Sequence, residues 1–269
     1  MENSFHFKKS FGQNFLKDHN VIDNIIKSAD IDKDTLVIEI GPGGGALTKE
    51  LVPLCGRALL YEIDDRLEEN LRNLLKEYDN FDLKICNFLD TDISKDLCEY
   101  KYPKLYLVAN LPYYITTPII TKFIDDNVLP DKIVIMIQKE VASRFSAKIN
   151  TKDYGSLTVF LNYYYDVVKL FDVSRNCFVP RPNVDSAVVE MKLKSKRKNV
   201  KDIDLFKKVV KDSFRYKRKN IKNNLKDYDL NIIERVLGKY DFDLNCRAEN
   251  LSLDVFIDIV NEMKTYSNE

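Results

Sequence analysis

The stretch "VANLPYYITT" (108–117) places a carboxamide, a proline-stiffened peptide and an aromatic ring at the end of an apolar run. An ordinary turn with a buried tyrosine would account for the residue types, but their combination fits a sharper task. An exocyclic amine on a purine is a poor nucleophile, because its lone pair is delocalised into the ring. Two acceptors holding its two hydrogens favour a pyramidal nitrogen whose lone pair can point at a methyl donor. The Asn110 side-chain oxygen can be one acceptor and the Leu111 carbonyl the other. Pro112 fixes its own φ and biases Leu111 to an extended conformation, which keeps that carbonyl pointed outward. Tyr113 can stack on the base, a contact worth about 1–3 kcal/mol. No histidine base is required, which suits a chain with only His6 and His19.

A second constellation, "VIEIGPGGGALT" (37–48), runs from a buried strand through Gly41, Gly43, Gly44 and Gly45 into a helix. Glycines let backbone approach a ligand, and a helix N-terminus favours polar or anionic groups. Glu62, at the end of the next strand, is placed to accept hydrogen bonds from ribose hydroxyls. These signals point to a nucleoside-containing cofactor. Gly41-x-Gly43-x-x-Ala46 also fits a dinucleotide-binding pattern, so a nicotinamide dehydrogenase competes with an S-adenosylmethionine enzyme, whose loop commonly follows an acidic residue such as Glu39. The loop alone leaves both open. The Asn110–Tyr113 segment favours the methyl donor.

The elements that must position these residues alternate strand and helix. Strand signals occur at 35–41, 57–64, 81–86, 104–110 and 132–138, with helical spacing between them, as in Leu67, Leu71, Leu74 and Leu75. An earlier helix spans about 18–29, with Asp18 as its cap. "LTVFLNYYYDVV" and "VDSAVVEMKL" (184–193) are expected to be strands pairing antiparallel at the sheet's end. From Ile203 onward the apolar spacing is helical. The expected class is α/β, a mostly parallel sheet covered by helices, with a small helical domain behind a boundary near residue 196.

Five scattered cysteines (Cys55, Cys86, Cys98, Cys177, Cys246), with no Cys-x-x-Cys spacing, argue against a disulfide framework or a zinc site and for a reducing, cytoplasmic compartment. No apolar run approaches the roughly 18 residues of a membrane span, and no metal is expected. Net charge is zero, yet Lys192 to Lys226 carries fifteen basic and three acidic residues, a local +12. A solvated helix face is the plain alternative. Such density reads more economically as a footprint for a polyanion.

"FGQNFL" (11–16), "IEIGPGGGALT", "ANLPYYITTPI" (109–119), "FVPRPNVDSAVV" (178–189), "FRYKRKNIKNNL" (214–225) and "RAENLSLDVF" (247–256) together resemble the ribosomal RNA adenine N6-dimethyltransferases, the bacterial small-subunit type in particular. The resemblance runs from about residue 8 to 260. It implies a Rossmann-like class I S-adenosylmethionine-dependent methyltransferase domain over 1–195 and a helical RNA-binding domain over 196–269. It further implies that the "GQNFL" segment closes over the cofactor through Asn14 and Leu16, with Gln13 nearby. Further cofactor contacts would fall on Gly41, Glu62, Asn87 and Asn110. The family commonly has Asp where this chain has Asn87, whose amide oxygen can still accept from an adenine amino group; Asp90 lies close by. Phe178 would face Tyr113 across the target adenine, joining Asn110, Leu111, Pro112 and Tyr113 as the catalytic set. Lys217, Arg218, Lys219 and Lys222 would hold RNA. The expected reaction is dimethylation of two adjacent adenosines in a hairpin near the 3′ end of small-subunit rRNA. The protein would act as a monomer on an immature subunit, away from membranes. Macrolide-resistance enzymes acting on large-subunit rRNA are the alternative within the family, and a non-catalytic assembly role is another.

Overall fold

The computed structural model describes residues 14–266. Phe15–Leu16 form strand β1, and Asp18 caps helix α1 (His19–Ala29) by accepting from the N–H groups of Asn20 and Val21. The expected strands follow as β2 (Thr35–Ile40), β3 (Arg57–Glu62), β4 (Phe81–Ile85), β5 (Lys104–Asn110) and β6 (Lys132–Gln138). Between them lie α2 (Thr48–Leu51), α3 (Glu68–Leu74), α4 (Ile93–Leu97) and α5 (Thr116–Asp125). All six residues of β2 are buried. That is the pattern of a central parallel strand covered on both faces, and it explains an apolar run with no alternation.

After β6 come α6 (Lys139–Phe145), α7 (Ser156–Tyr164), β7 (Tyr165–Val173), β8 (Phe178–Val179) and β9 (Ser186–Leu193). The seven-stranded sheet has the order β4-β3-β2-β5-β6-β9-β7, and a separate two-stranded ribbon joins β1 to β8. β2, β3, β4, β5 and β6 pair in parallel, whereas β9 runs antiparallel to β6. The order reverses beside β2, so a crevice opens past the carboxyl ends of β2 and β5, where ligands of such sheets bind. Among the described residues, no helix is long and apolar enough to cross a membrane.

The last third is helical: α8 (Ile203–Ser213), α9 (Ile221–Asn224), α10 (Leu230–Gly238) and α11 (Leu253–Tyr266). Asp202, Asn220 and Asp229 each cap the helix that follows, accepting from its first backbone N–H groups.

Two expectations need correction. The chain forms two compact units, but the division is discontinuous. The first runs to Ala142 and takes in Val168–Leu193; the second takes Ser143–Val167 as well as everything from Lys194 on. The break at 193/194 falls close to the expected boundary, while the inserted segment was assigned to the wrong side of it. The cause is packing: Tyr154 and Val159 belong to the same buried cluster as Phe206, Val210, Val236 and Phe256. For the same reason most of "LTVFLNYYYDVV" is helix α7 and not strand. Its β-branched and aromatic residues favour strand locally, and burial of Thr158, Val159, Leu161 and Tyr164 overrides that preference.

Candidate active site

β2 delivers the chain into Gly41 (φ +72°) and Gly43 (φ +57°), both left-handed, where a side chain would be strained. The Gly41 N–H donates to the Tyr61 carbonyl at 2.8 Å, extending the β2–β3 ladder by one step. The Gly43 N–H donates to Glu62 Oε2 at 2.9 Å, and the Asp64 N–H donates to Oε1 at 2.9 Å. The Glu62 carboxylate, at the end of β3, is thus clamped between the glycine loop and its own following turn. The Ile63 N–H is a third backbone donor to this carboxylate, which leaves part of its accepting capacity for a ligand hydroxyl. A Cβ on Gly43 would stand 2.9 Å from the Phe15 ring, so β1 lies directly against this loop.

Burial pushes the Glu62 carboxyl above its ordinary range, and the N–H groups of Asp64 and Gly43 pull it part of the way back. Glu39 is more extreme. Burial drives it up to about 8, the nearby Thr48 hydroxyl offsets some of that, and the charge of Glu62 adds to it. Glu39 Oε2 and Thr48 Oγ1 are both buried, and neither has a hydrogen-bond partner of normal geometry among the described residues. Glu39 borders the cleft, but this oxygen is sealed from it against Thr48.

β5 places Asn110 as its last residue, paired with Met136 of β6. The Leu111 N–H donates to the Met136 carbonyl at 3.1 Å, which anchors the peptide just outside the strand. The Pro112 carbonyl then accepts from the Ile115 N–H and from Thr116 Oγ1, each at 3.2 Å, closing the turn into α5. Asn110 Nδ2 donates to the Asn14 carbonyl at 3.3 Å. That contact fixes which way the amide faces and leaves Oδ1 as an open acceptor. Among the described residues no donor reaches the Leu111 carbonyl, so consecutive residues each keep an acceptor without a protein partner. The Tyr113 hydroxyl meets the buried Ser186 Oγ at 2.6 Å, which holds the ring in place. Burial raises the Tyr113 pKa, against the lowering effect of the Ser186 hydrogen bond.

Asn14, Leu16, Gly41, Glu62, Asn110, Leu111, Pro112 and Tyr113 all line one cleft. Sequence reading missed Phe15 and Ile63, which share its wall; a strand pairing between residues 15 and 179 leaves no local signal. Gln13 and the residues before it lie outside the described residues.

Two expected residues are elsewhere. Phe178 does not face Tyr113 across an open slot. It is only 2% exposed, registers opposite Leu16 in the β1–β8 ribbon, and belongs to the core cluster containing Ile22 and Val188. The ring packs on core side chains here and is not part of the cleft lining. Asn87 follows β4 and is not part of the cleft lining. Its Oδ1 accepts from the Leu89 N–H at 3.2 Å and its Nδ2 donates to Asp90 Oδ2 at 2.8 Å, so its amide already serves a turn and a neighbour.

In the second unit, Lys217, Arg218 and Lys219 lie exposed between α8 and α9, and Lys222 is exposed on α9. Lys217 Nζ donates to the Lys152 carbonyl. Arg218, Lys219 and Lys222 have no ion pair among the described residues. The earlier part of the basic block is more committed: Lys192 pairs with Glu190, Lys194 with Asp166, and Lys198 with Asp258. The footprint expected from composition is thus thinned in its first part, while Lys208 and Lys211 on α8 and the loop after it keep exposed cations.

A family signature described as "Ribosomal RNA adenine dimethylase" matches residues 4–265. The chain belongs to the ribosomal RNA adenine dimethylase family. Curated relatives described as "Ribosomal RNA small subunit methyltransferase A" include those of Streptococcus gordonii and Clostridium acetobutylicum. The first is 43% identical over 97% of this chain and 93% of the relative; the second is 41% identical over 97% and 95%. Among solved structures, a dimethyladenosine transferase from Plasmodium falciparum has a TM-score of 0.78 at 27% identity, covering 94% of this chain and 98% of that one. The 23S rRNA methyltransferase ErmE has a TM-score of 0.72 at 25% identity, covering 93% and 100%. The fold is thus the Rossmann-like methyltransferase fold of this dimethylase family, a mixed sheet followed by a helical region.

Proposed function

We propose that the protein transfers methyl groups from S-adenosylmethionine to N6 of two adjacent adenosines in a hairpin near the 3′ end of small-subunit rRNA, during subunit assembly. The observation that carries this reading is the oriented Asn110 amide, whose Oδ1 stands open beside the unpartnered Leu111 carbonyl. The 43% and 41% identities to small-subunit relatives favour that substrate over large-subunit rRNA.

The residues present suit the cofactor. Glu62 would accept the ribose hydroxyls, and Glu39, Asn14 and Leu16 border the same space. Bound there, S-adenosylmethionine supplies a methyl group activated by its sulfonium charge. The protein's own contribution is positional. Asn110 Oδ1 and the Leu111 carbonyl take the two N6 hydrogens, which draws the nitrogen lone pair out of the ring. The turn closed on the Pro112 carbonyl holds both acceptors still, and Tyr113, pinned by Ser186, offers its face to the base. An adenine must leave its stack to enter, at a cost of a few kcal/mol, which favours bases in loops or weak pairs. After transfer, N6 gives up its surplus proton towards these acceptors and water. Within the described residues the single histidine, His19, is exposed on α1 and takes no part.

The test is transfer of radiolabel from S-adenosylmethionine to immature small and large ribosomal subunits, with Asn110→Ala alongside. Label recovered as dimethyladenosine in the small subunit, and reduced about 10²-fold or more in the variant, is expected from the loss of one positioned hydrogen-bonding group. Label in the large subunit would move the protein to the resistance type. Undiminished transfer by the variant would remove Asn110 from the mechanism. We further propose that the protein works in the cytoplasm as a monomer.

A further inference from the structure

Several tyrosines of the helical unit are put to structural use. The Tyr154 hydroxyl donates to the Leu251 carbonyl, that of Tyr228 to Asp212, and that of Tyr240 to Asp258. Tyr154 also packs edge-on against Phe214. Tyr216 does none of this. It is 57% exposed, its hydroxyl has no hydrogen-bond partner among the described residues, and no other aromatic ring touches it. Exposure of a single ring is ordinary by itself; what sets Tyr216 apart is the loop that holds it and the cations that follow it.

The loop that presents it is built and not slack. The Asn224 amide spans the turn. Its Nδ2 donates to the Ser213 carbonyl at 2.7 Å, with longer contacts to the Tyr216 and Lys219 carbonyls, while its Oδ1 accepts from the Tyr216 N–H at 3.2 Å. The Lys219 N–H closes the turn onto the Tyr216 carbonyl at 2.8 Å. Arg215 lies over one face of the ring, its guanidinium carbon 5.5 Å from the centroid. Only the other face is left for a visitor. Lys217, Arg218 and Lys219 follow immediately, all exposed.

We propose that Tyr216 is a stacking platform for an unpaired nucleobase of the RNA, with Asn224 as the residue that positions it. The proposal rests on the RNA-modifying reading above and adds a base contact outside the cleft. An aromatic face among cations is how proteins hold single-stranded nucleotides: the charges track phosphates while the ring takes any base. A purely electrostatic patch would need no ring.

The chain contains no tryptophan, so Tyr216→Trp installs a single reporter. Its emission would be followed in the full-length protein as a labelled single-stranded oligoadenylate is added, with binding read independently from anisotropy of the label. An abasic strand of equal length and charge is the control. Quenching by oligoadenylate and not by the abasic strand is expected. Binding of oligoadenylate without quenching, or equal quenching by both strands, would overturn the proposal. Quenching or a blue shift on anionic phospholipid vesicles in place of RNA would overturn it too. Binding of neither strand would overturn this proposal, and a labelled small-subunit rRNA hairpin that still bound would show that the RNA-modifying reading survives it. In affinity measurements, Tyr216→Leu should lose about 5- to 150-fold, a loss of stacking converted to affinity. Tyr216→Phe should keep it. The salt dependence of binding should be the same in both, because no charge is removed.

Discussion

Glu39 shows how a single buried group couples the cleft to pH. An exposed glutamate titrates near 4.5, whereas Glu39 is pushed up to about 8, mainly by burial. Across that interval the folded protein holds a proton the unfolded chain has released. The stability this group contributes is therefore full below about 4.5 and is lost as pH rises through about 8. Glu62, also raised, acts in the same direction. Glu39→Gln is neutral at every pH. In the absence of cofactor, its melting temperature should gain on the parent as pH is taken from about 5 to about 8.5, by on the order of several degrees. Two parallel pH curves would show that Glu39 ionises normally. The same residue scale explains what sequence reading could and could not see. Asn110 and Glu62 were legible because each stands at a strand end, where type and position together imply a task. The Asn14 carbonyl that orients Asn110 is 96 residues away and is a backbone group, so no side-chain pattern announces it. Phe178 misled for the opposite reason: an aromatic before prolines looks available for stacking until β1 closes over it.

At the scale of elements, the decisive piece is the turn from β2 into the glycine loop. Five parallel strands were readable from their apolar runs, because burial on both faces leaves a continuous signature. Helix α7 was not, since its Val, Phe and Tyr residues carry a local strand preference that only the second unit's core reverses. The glycine loop is a case where local rule and tertiary demand agree. Gly43 combines a positive φ, a backbone donor to Glu62 and near contact with Phe15. Gly43→Ala should cost about 1–2 kcal/mol in backbone strain alone. It also displaces Phe15 or the loop, so cofactor affinity by calorimetry should fall about tenfold or more. Gly155 supplies the control. It sits in extended backbone with open space around its α-carbon, so Gly155→Ala should leave cofactor affinity unchanged and cost at most about 1 kcal/mol of stability, the loss of a better N-cap residue for α7. Equal behaviour of the two variants would mean that the loop adapts, and that its glycines are not required by geometry.

For the whole molecule, a net charge of zero conceals a division of labour between two units. The first unit carries the cleft and its buried carboxyls. The second carries the exposed cations after α8, while neighbouring lysines are neutralised by Glu190, Asp166 and Asp258. Local pairing of this kind weakens the first part of the basic block relative to the rest, because a paired lysine offers little net attraction to a phosphate. Replacing Lys217, Arg218 and Lys219 together by alanine should weaken binding to small-subunit rRNA. It should also flatten the dependence of log affinity on log salt by about 2–3, the release expected when three phosphate contacts are lost. Cofactor affinity should not move, since none of the three residues lines the cleft. An unchanged salt slope would place the RNA footprint elsewhere on the chain. Equal loss of cofactor and RNA binding would mean that the second unit supports the first, and that the two tasks are not separable.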